Sequence, residues 1–398
     1  MTALRLKGDA RHTIYASYLA IVGQAVVNNF VPLLLLTFER EFGISRASVT
    51  VLLGYNFFIQ LTTDLAAAFL VDKVGYRAAI VFGQVCAFLG MAALAVLPGL
   101  MDPFAGLMAA VTVYAVGGGI AEVLVSPIVE HAPTPADRKA SAMSLLHSFY
   151  CWGHVFVVLL SSLFFLLFGI VNWRTLAVLW SVLPLANAWY FSRVPIAQPP
   201  RQNGLHGAFR LFRSPAFWFL FVMMVCSGAS EQSVSQWASA FAESGLKVSK
   251  AAGDLAGPTF FAALMGLSRV VHSHQSHKRP LQTSLLLSAL LCVAAYLLIL
   301  LSPWPWLSFA GVGLTGYAVG LFWPGTLSLS ALRLPAGGTA MYALLALGGD
   351  VGCSLGPSVV GLVSQLGGGQ LLWGFAAAIL FPTGLVLMLR RRKGVRTD

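Results

Sequence analysis

The chain has 398 residues, 58% of them hydrophobic and only 10% charged, with a mean hydropathy of +0.79 and a formal net charge of +11. Soluble domains carry roughly a quarter charged residues, so a water-soluble core cannot absorb this much apolar surface, and an ordinary soluble enzyme is excluded. The basic excess invites a nucleic-acid reading, which the placement of the charges argues against below.

Apolar stretches recur along the whole chain, at about 12–37, 48–71, 78–98, 104–128, 141–169, 173–193, 215–242, 251–271, 281–302, 306–331, 339–366 and 370–389. Each reaches the roughly 20 residues that a helix needs to cross the hydrocarbon core. None alternates apolar and polar residues over about ten positions as a barrel strand does. The pattern predicts an all-α membrane protein with twelve transmembrane helices, embedded in a lipid bilayer. The first span is too long for a signal-peptide core and is expected to stay as a helix.

An ionisable or strongly polar group inside a span costs several kcal/mol unless it is paired or hydrated, so each one needs a reason. Span 1 carries Gln24, Asn28 and Asn29, with Gln24 and Asn28 four apart on one face. Span 2 holds Asp64, and Asp72 closes its far end. Span 4 carries Gly117-Gly118-Gly119 and then Glu122, with Glu130 at its end. Span 5 reads His147-Ser148-Phe149-Tyr150-Cys151-Trp152-Gly153-His154, with its histidines on one helical face. His147 is either a neutral core histidine or, close to Glu122, part of a proton relay. Span 7 opens a polar run at Glu231-Gln232-Ser233, continued by Gln236 one turn beyond Gln232 and by Trp237, which offers an apolar plate to a hydroxylated ligand. Span 11 holds Asp350 among glycines, Gly348-Gly349 and Gly352-x-x-x-Gly356-Pro357. Small residues at this spacing let helix backbones approach closely.

The basic residues follow the positive-inside rule. With the N-terminus inside, only Arg40, Arg46, Arg174, Lys247 and Lys250 face out, and the other 20 of the 25, Arg269 included, face the cytoplasm. Both termini are then cytoplasmic and no nucleic-acid partner is needed. The five cysteines, Cys86, Cys151, Cys226, Cys292 and Cys353, all fall in spans, with no metal-type spacing. The run His272-x-His274-x-x-His277 is followed by Lys278 and Arg279, and reads as an extension of the basic cytoplasmic surface rather than a metal site.

The polar, Pro- and Arg-containing stretch 194–214 divides the chain into residues 1–193 and 215–398, two six-helix bundles. Two short repeats keep order and offset across it: Tyr114-Ala-Val-Gly117 with Tyr317-Ala-Val-Gly320, and Ala142-Met143 with Ala340-Met341. Pseudo-symmetric halves of this kind suit a transporter.

The connection after span 2, Leu70-Val-Asp72-Lys73-Val-Gly75-Tyr76-Arg77, resembles the loop motif Gly-x-Leu-x-Asp-Arg/Lys-x-Gly-Arg-Arg/Lys of the major facilitator superfamily. Ala68 stands at the leading glycine and Tyr76 at a basic position. The resemblance implies a cytoplasmic gating role for Asp72 and Arg77. Within that superfamily, Gly119-Ile-Ala-Glu122-x-x-x-Ser126-Pro127 is similar to the Gly-x-x-Glu-x-x-x-Asn-Pro of fucose-permease-type sugar–proton symporters, and His147-Ser148-Phe149 to their Asn-Ser-Phe. The early span-7 glutamate echoes that group in Glu231. The resemblance implies that Glu122 handles the proton. It departs in span 1, where the group's fucose permease has an acid and this chain has Gln24, Asn28 and Asn29.

The expected function is secondary active transport by alternating access: proton-coupled uptake of a sugar or similar small polar solute, by a monomer in a bacterial inner membrane. No cofactor beyond a proton gradient is called for. Substrate and proton contacts are assigned to Glu122, Glu231, His147, Gln236, Trp237, Asn28, Gln24 and Asp350. The rival is efflux of amphipathic compounds by proton antiport, although span 5 lacks the Gly-Pro element of such carriers. An intramembrane enzyme or receptor ranks lower. Cys151 and His147 lie one turn apart, but no HExxH or GxSxG motif accompanies them and no loop exceeds about 20 residues.

Overall fold

The computed structural model describes residues 10–44, 46–135, 138–197, 210–238, 241–242, 250–275, 278–368 and 370–390. Among them every regular element is helical. The chain begins with α1 (Ala10–Asn29), a 3-10 turn (Val31–Leu34) and α2 (Leu35–Phe42). Then come α3 (Arg46–Val74), α4 (Tyr76–Leu100), α5 (Pro103–Glu130), α6 (Lys139–Phe168) and α7 (Trp173–Arg193). The later part runs α8 (Pro215–Ser235), α9 (Lys250–Gln275), α10 (Leu281–Leu301), α11 (Pro305–Val319), α12 (Phe322–Arg333), α13 (Gly338–Leu366), α14 (Leu371–Ala378) and α15 (Leu380–Arg390).

The expected spans coincide with a helix or with two helices end to end, α1 with α2 for the first, α11 with α12 for the tenth and α14 with α15 for the last. The exception is the seventh, 215–242, where α8 ends at Ser235 and residues 239–240 lie outside the described residues. Nine of these segments, among the described residues, are long and apolar enough to cross a membrane by length and composition alone. The segments outside that nine, α3, α7 and α9, are helices of 29, 21 and 26 residues. Polar residues such as Asn56, Gln60, Thr63 and Asp64 dilute the apolar character of α3. Large side chains stand fully outward, Leu166 at 81% exposure, Leu366 at 80% and Leu380 at 70%. A surface of this kind is stable against lipid and not against water.

Two compact units divide the chain: Met1–Pro133 with Trp152–His206 and Gly338–Ala343, and Thr134–Cys151 with Gly207–Gly337 and Leu344–Asp398. Two helices are shared out between them. The first half of α6, to Cys151, belongs to the second unit, and the first turn and a half of α13 belongs to the first. The repeated Ala142-Met143 and Ala340-Met341 lie in these two segments, and both methionines are buried.

In the first unit, Phe30, Phe38, Tyr114 and Trp173 anchor the core. The glycine triplet of α5 explains how that helix sits among three others. A Cβ on Gly117 would lie 2.5 Å from backbone atoms of α4, while Gly118 abuts Val27 of α1 and Gly119 the Gln60 carbonyl of α3. At the turn before α4, Gly75 adopts φ +92°, a value L side chains rarely take, which accounts for the glycine of the loop motif. At the other end, Glu41 of α2 pairs with Arg174 at 2.6 Å and accepts from Trp173 Nε1 at 2.7 Å.

The second unit is built on Phe217, Met223, Met224, Phe261, Tyr296 and Phe375, all buried. Its glycines work as contact surface. A Cβ on Gly352 of α13 would lie 2.1 Å from the Val225 carbonyl of α8, and one on Gly356 would lie 2.5 Å from that of Ala229. The span-11 glycines are thus required by backbone contact.

Candidate functional site

Each unit holds a polar cluster inside its helices. In the first, Gln24 of α1 donates its side-chain amide to the carboxylate of Glu122 on α5. One turn along α1, Asn28 Oδ1 accepts from Gln60 Nε2 at 2.6 Å and from Asn56 Nδ2 at 3.3 Å, both on α3. Asp64, a turn beyond Gln60, is fully buried, and a Cβ on Gly119 would lie 3.2 Å from its Oδ1. The four-residue spacing of Gln24 and Asn28 thus delivers two amides to two different helices. Asn29 turns back on its own helix, donating to the Ala25 carbonyl at 2.8 Å.

In the second unit the centre is Arg269 of α9, only 3% exposed. Its Nε donates to the Gly320 carbonyl at 2.9 Å and its Nη1 to the His147 carbonyl at 2.7 Å. Nη1 also lies 3.0 Å from Cys151 Sγ, and Nη2 lies 3.9 Å from the Glu231 carboxylate on α8. The backbone carbonyl of Arg269 in turn accepts from Ser144 Oγ at 2.8 Å. One guanidinium therefore ties α6, α8 and the α11–α12 junction together, which its planar fork of donors suits. Beside it, Gln232 reaches Glu231 at 3.4 Å and Gln236 reaches Gln232 at 3.0 Å. Trp237 Nε1 donates to the Pro357 carbonyl at 3.2 Å.

The expected site residues divide between the clusters. Gln24, Asn28 and Glu122 come together in the first unit, and Glu231, Gln236, Trp237 and His147 belong to the second, with Asp350 partly exposed on α13. His147, read either as a neutral core histidine or as a relay partner of Glu122, is buried in the unit of Glu231 and meets Arg269 through its carbonyl. The positive-inside count used Arg269 only as a charge on the cytoplasmic side; the structure shows that its guanidinium is buried among helices. Ion pairing and two carbonyls repay the burial of the guanidinium. A usable signal was present, because residue 269 falls inside the apolar stretch 251–271, where a cation is costly. Asn56 and Gln60 were also missed. They carry the same signal as the amides of the first span, and tertiary contact with Asn28 is what distinguishes them.

At the start of α4, Arg77 Nη1 donates to the carbonyls of Phe191 and Ser192 at 3.0 and 2.9 Å, closing the end of α7. Tyr76 hydrogen-bonds Thr339 of the α13 segment in the same unit. Asp72 lies on α3, with its side chain outside the described residues. His277 of the histidine run also lies outside them.

These features define a polytopic helical membrane protein with a polar cluster buried in each of its two units. The family model of the Major Facilitator Superfamily matches residues 17–313, and the chain belongs to that superfamily of transporters. No curated protein matches it in sequence. Its fold is similar to FucP, a transporter of the superfamily solved in the outward conformation, with TM-score 0.81 and 15% identity over 96% of this chain and 99% of that one. A variant of the E. coli fucose:proton symporter FucP gives TM-score 0.79 at 16% identity, covering 97% and 99% of the two chains. The proton:xylose symporter XylE gives 0.75 at 10%, covering 95% and 94%. The human organic anion transporter MFSD10 gives 0.74 at 16%, covering 96% and 100%.

Proposed function

We propose that this transporter takes up a monosaccharide or similar polar solute together with protons, by alternating access across a bacterial inner membrane with both termini cytoplasmic. The observation that carries the reading is the placement of Glu122 and Glu231 within membrane-spanning helices, each held by a polar partner, Gln24 and Arg269. The Glu122 carboxylate accepts from the neutral amide of Gln24, and in this reading it is the group that loads the proton. Glu231 faces a fixed cation and serves instead to hold Arg269 and the solute hydroxyls, with Gln232 and Gln236 offering further donors and acceptors. The names of the similar folds, a fucose:proton and a proton:xylose symporter, support a monosaccharide as first cargo.

The test is uptake of fucose, xylose and glucose into proteoliposomes with the outside more acidic. Accumulation should require the gradient in the parent. Glu122→Gln should lose accumulation while keeping solute exchange, since a permanently neutral group at that position still permits the loaded carrier to turn over. Gradient-driven accumulation by Glu122→Gln at the parental level removes Glu122 from proton coupling.

A further inference from the structure

A second candidate site has neither Glu122 nor Glu231 in its lining. A cavity of about 320 Å³ opens in the second unit where the end of α9, the start of α10 and the first turns of α6 meet. Its polar lining is His272 and Gln275 from α9, Lys278 and Arg279 from the connection, Ser284 from α10 and Ser144 from α6. Leu281 and Leu287 of α10, Leu321 at the α11–α12 junction and Gly325 of α12 complete the wall, and none of the described lining residues is acidic. Two cations thus face a pocket that also offers neutral donors.

Three further features set its preference. The N-terminus of α10 borders the cavity with Pro280 as an uncapped N-cap, which leaves the positive end of a 21-residue helix dipole without a side-chain acceptor. His272 Nδ1 lies 2.9 Å from the Ser268 carbonyl, which can only accept, so Nδ1 carries the proton and fixes the ring as a wall of the cavity. The α6 wall is fastened to α9 by Ser144 on the Arg269 carbonyl at 2.8 Å and by Ser141 on the Ser273 carbonyl at 2.5 Å, so the pocket is framed on both sides. Its volume is at the small end of ligand sites. That suits a phosphate-bearing headgroup or a small phosphorylated molecule.

The geometry points to an anion site: the cavity binds a phosphate group through Lys278 and Arg279, with Ser284 and the start of α10 as further donors. The positive-inside count places this end of the unit in the cytoplasm, where both anionic lipid headgroups and soluble phosphates are available. The inference is independent of what the carrier transports.

The experiment uses the full chain purified in neutral detergent and in nanodiscs. One arm follows the thermal unfolding midpoint against inorganic pyrophosphate, with chloride at equal ionic strength as control. The other uses nanodiscs of mixed phosphatidylcholine and phosphatidylglycerol and measures which lipid stays bound in native mass spectra. The variants are K278Q/R279Q, both exposed side chains, and Ser284→Trp, which fills the cavity without changing charge. The expected result is saturable binding of at least one probe, weakened about tenfold or more in both variants, as loss of charge-assisted hydrogen bonds dictates. Pyrophosphate alone then identifies a soluble phosphate, and retained phosphatidylglycerol identifies a lipid headgroup. Failure of both probes to saturate, or parental binding in either variant, overturns the assignment and leaves the transport reading untouched.

Discussion

Replacing Arg269 by methionine keeps most of the side-chain length and removes the guanidinium, which separates two contributions. The Glu231 carboxylate, 3.9 Å from Nη2, loses a Coulomb attraction of about 4 kcal/mol at an effective dielectric near 20, but desolvation of both ions cancels a large share of that. The carbonyls of His147 and Gly320 lose donors at 2.7 and 2.9 Å, a cost of roughly 1–3 kcal/mol each when buried. The ion pair lies beyond hydrogen-bond distance and the two carbonyl bonds do not, so the carbonyl contribution is the larger. A net loss of roughly 3–5 kcal/mol is expected. Thermal unfolding of the purified protein, followed with a thiol-reactive dye, reads this directly, because all five cysteines are free and Cys86, Cys151 and Cys292 are buried. Adding Glu231→Gln to Arg269→Met relieves only the unpaired charge, so less than half of the loss should return. Parental stability in Arg269→Met, or full recovery in the double variant, contradicts the assignment of the guanidinium to the carbonyls.

Other expectations follow from the same geometry. Gly117→Val places a branched side chain against backbone atoms of α4 that lie 2.5 Å from the glycine's Cβ position, and should cost about 3 kcal/mol or more, seen as loss of a monodisperse peak after detergent extraction. Trp173→Phe keeps the aromatic packing but removes the 2.7 Å bond to Glu41, which stays paired with Arg174, so the thermal midpoint should fall by the equivalent of about 1 kcal/mol. Gln24→Leu strips Glu122 of its amide partner and should lower the number of protons carried per solute more than the exchange rate, measured in the same proteoliposomes.

The twelve spans were legible because a helix that must satisfy its own backbone in lipid leaves a run of apolar residues too long to mistake. The pairing of Gln24 with Glu122 was half legible. The sequence put Gln24 and Asn28 on one face and Glu122 inside a span, but nothing in it says which helix α1 faces. The glycine stripes of α5 and α13 announced close packing, and the structure supplies the partners, α4 and α8. Arg269 was counted by charge as a topological marker, although its position within an apolar stretch carried the contrary signal. Its partners Glu231, Gly320 and His147 lie 38, 51 and 122 residues away by sequence number, so no local pattern announces them.

The most direct measurement is the proton itself. Proteoliposomes loaded with a pH-sensitive dye and given fucose, xylose or glucose with no imposed gradient should acidify inside when a transported sugar is added, and Glu122→Gln should carry the sugar without that acidification. Sugar entry with no proton movement in the parent, or acidification that persists in Glu122→Gln, contradicts the account.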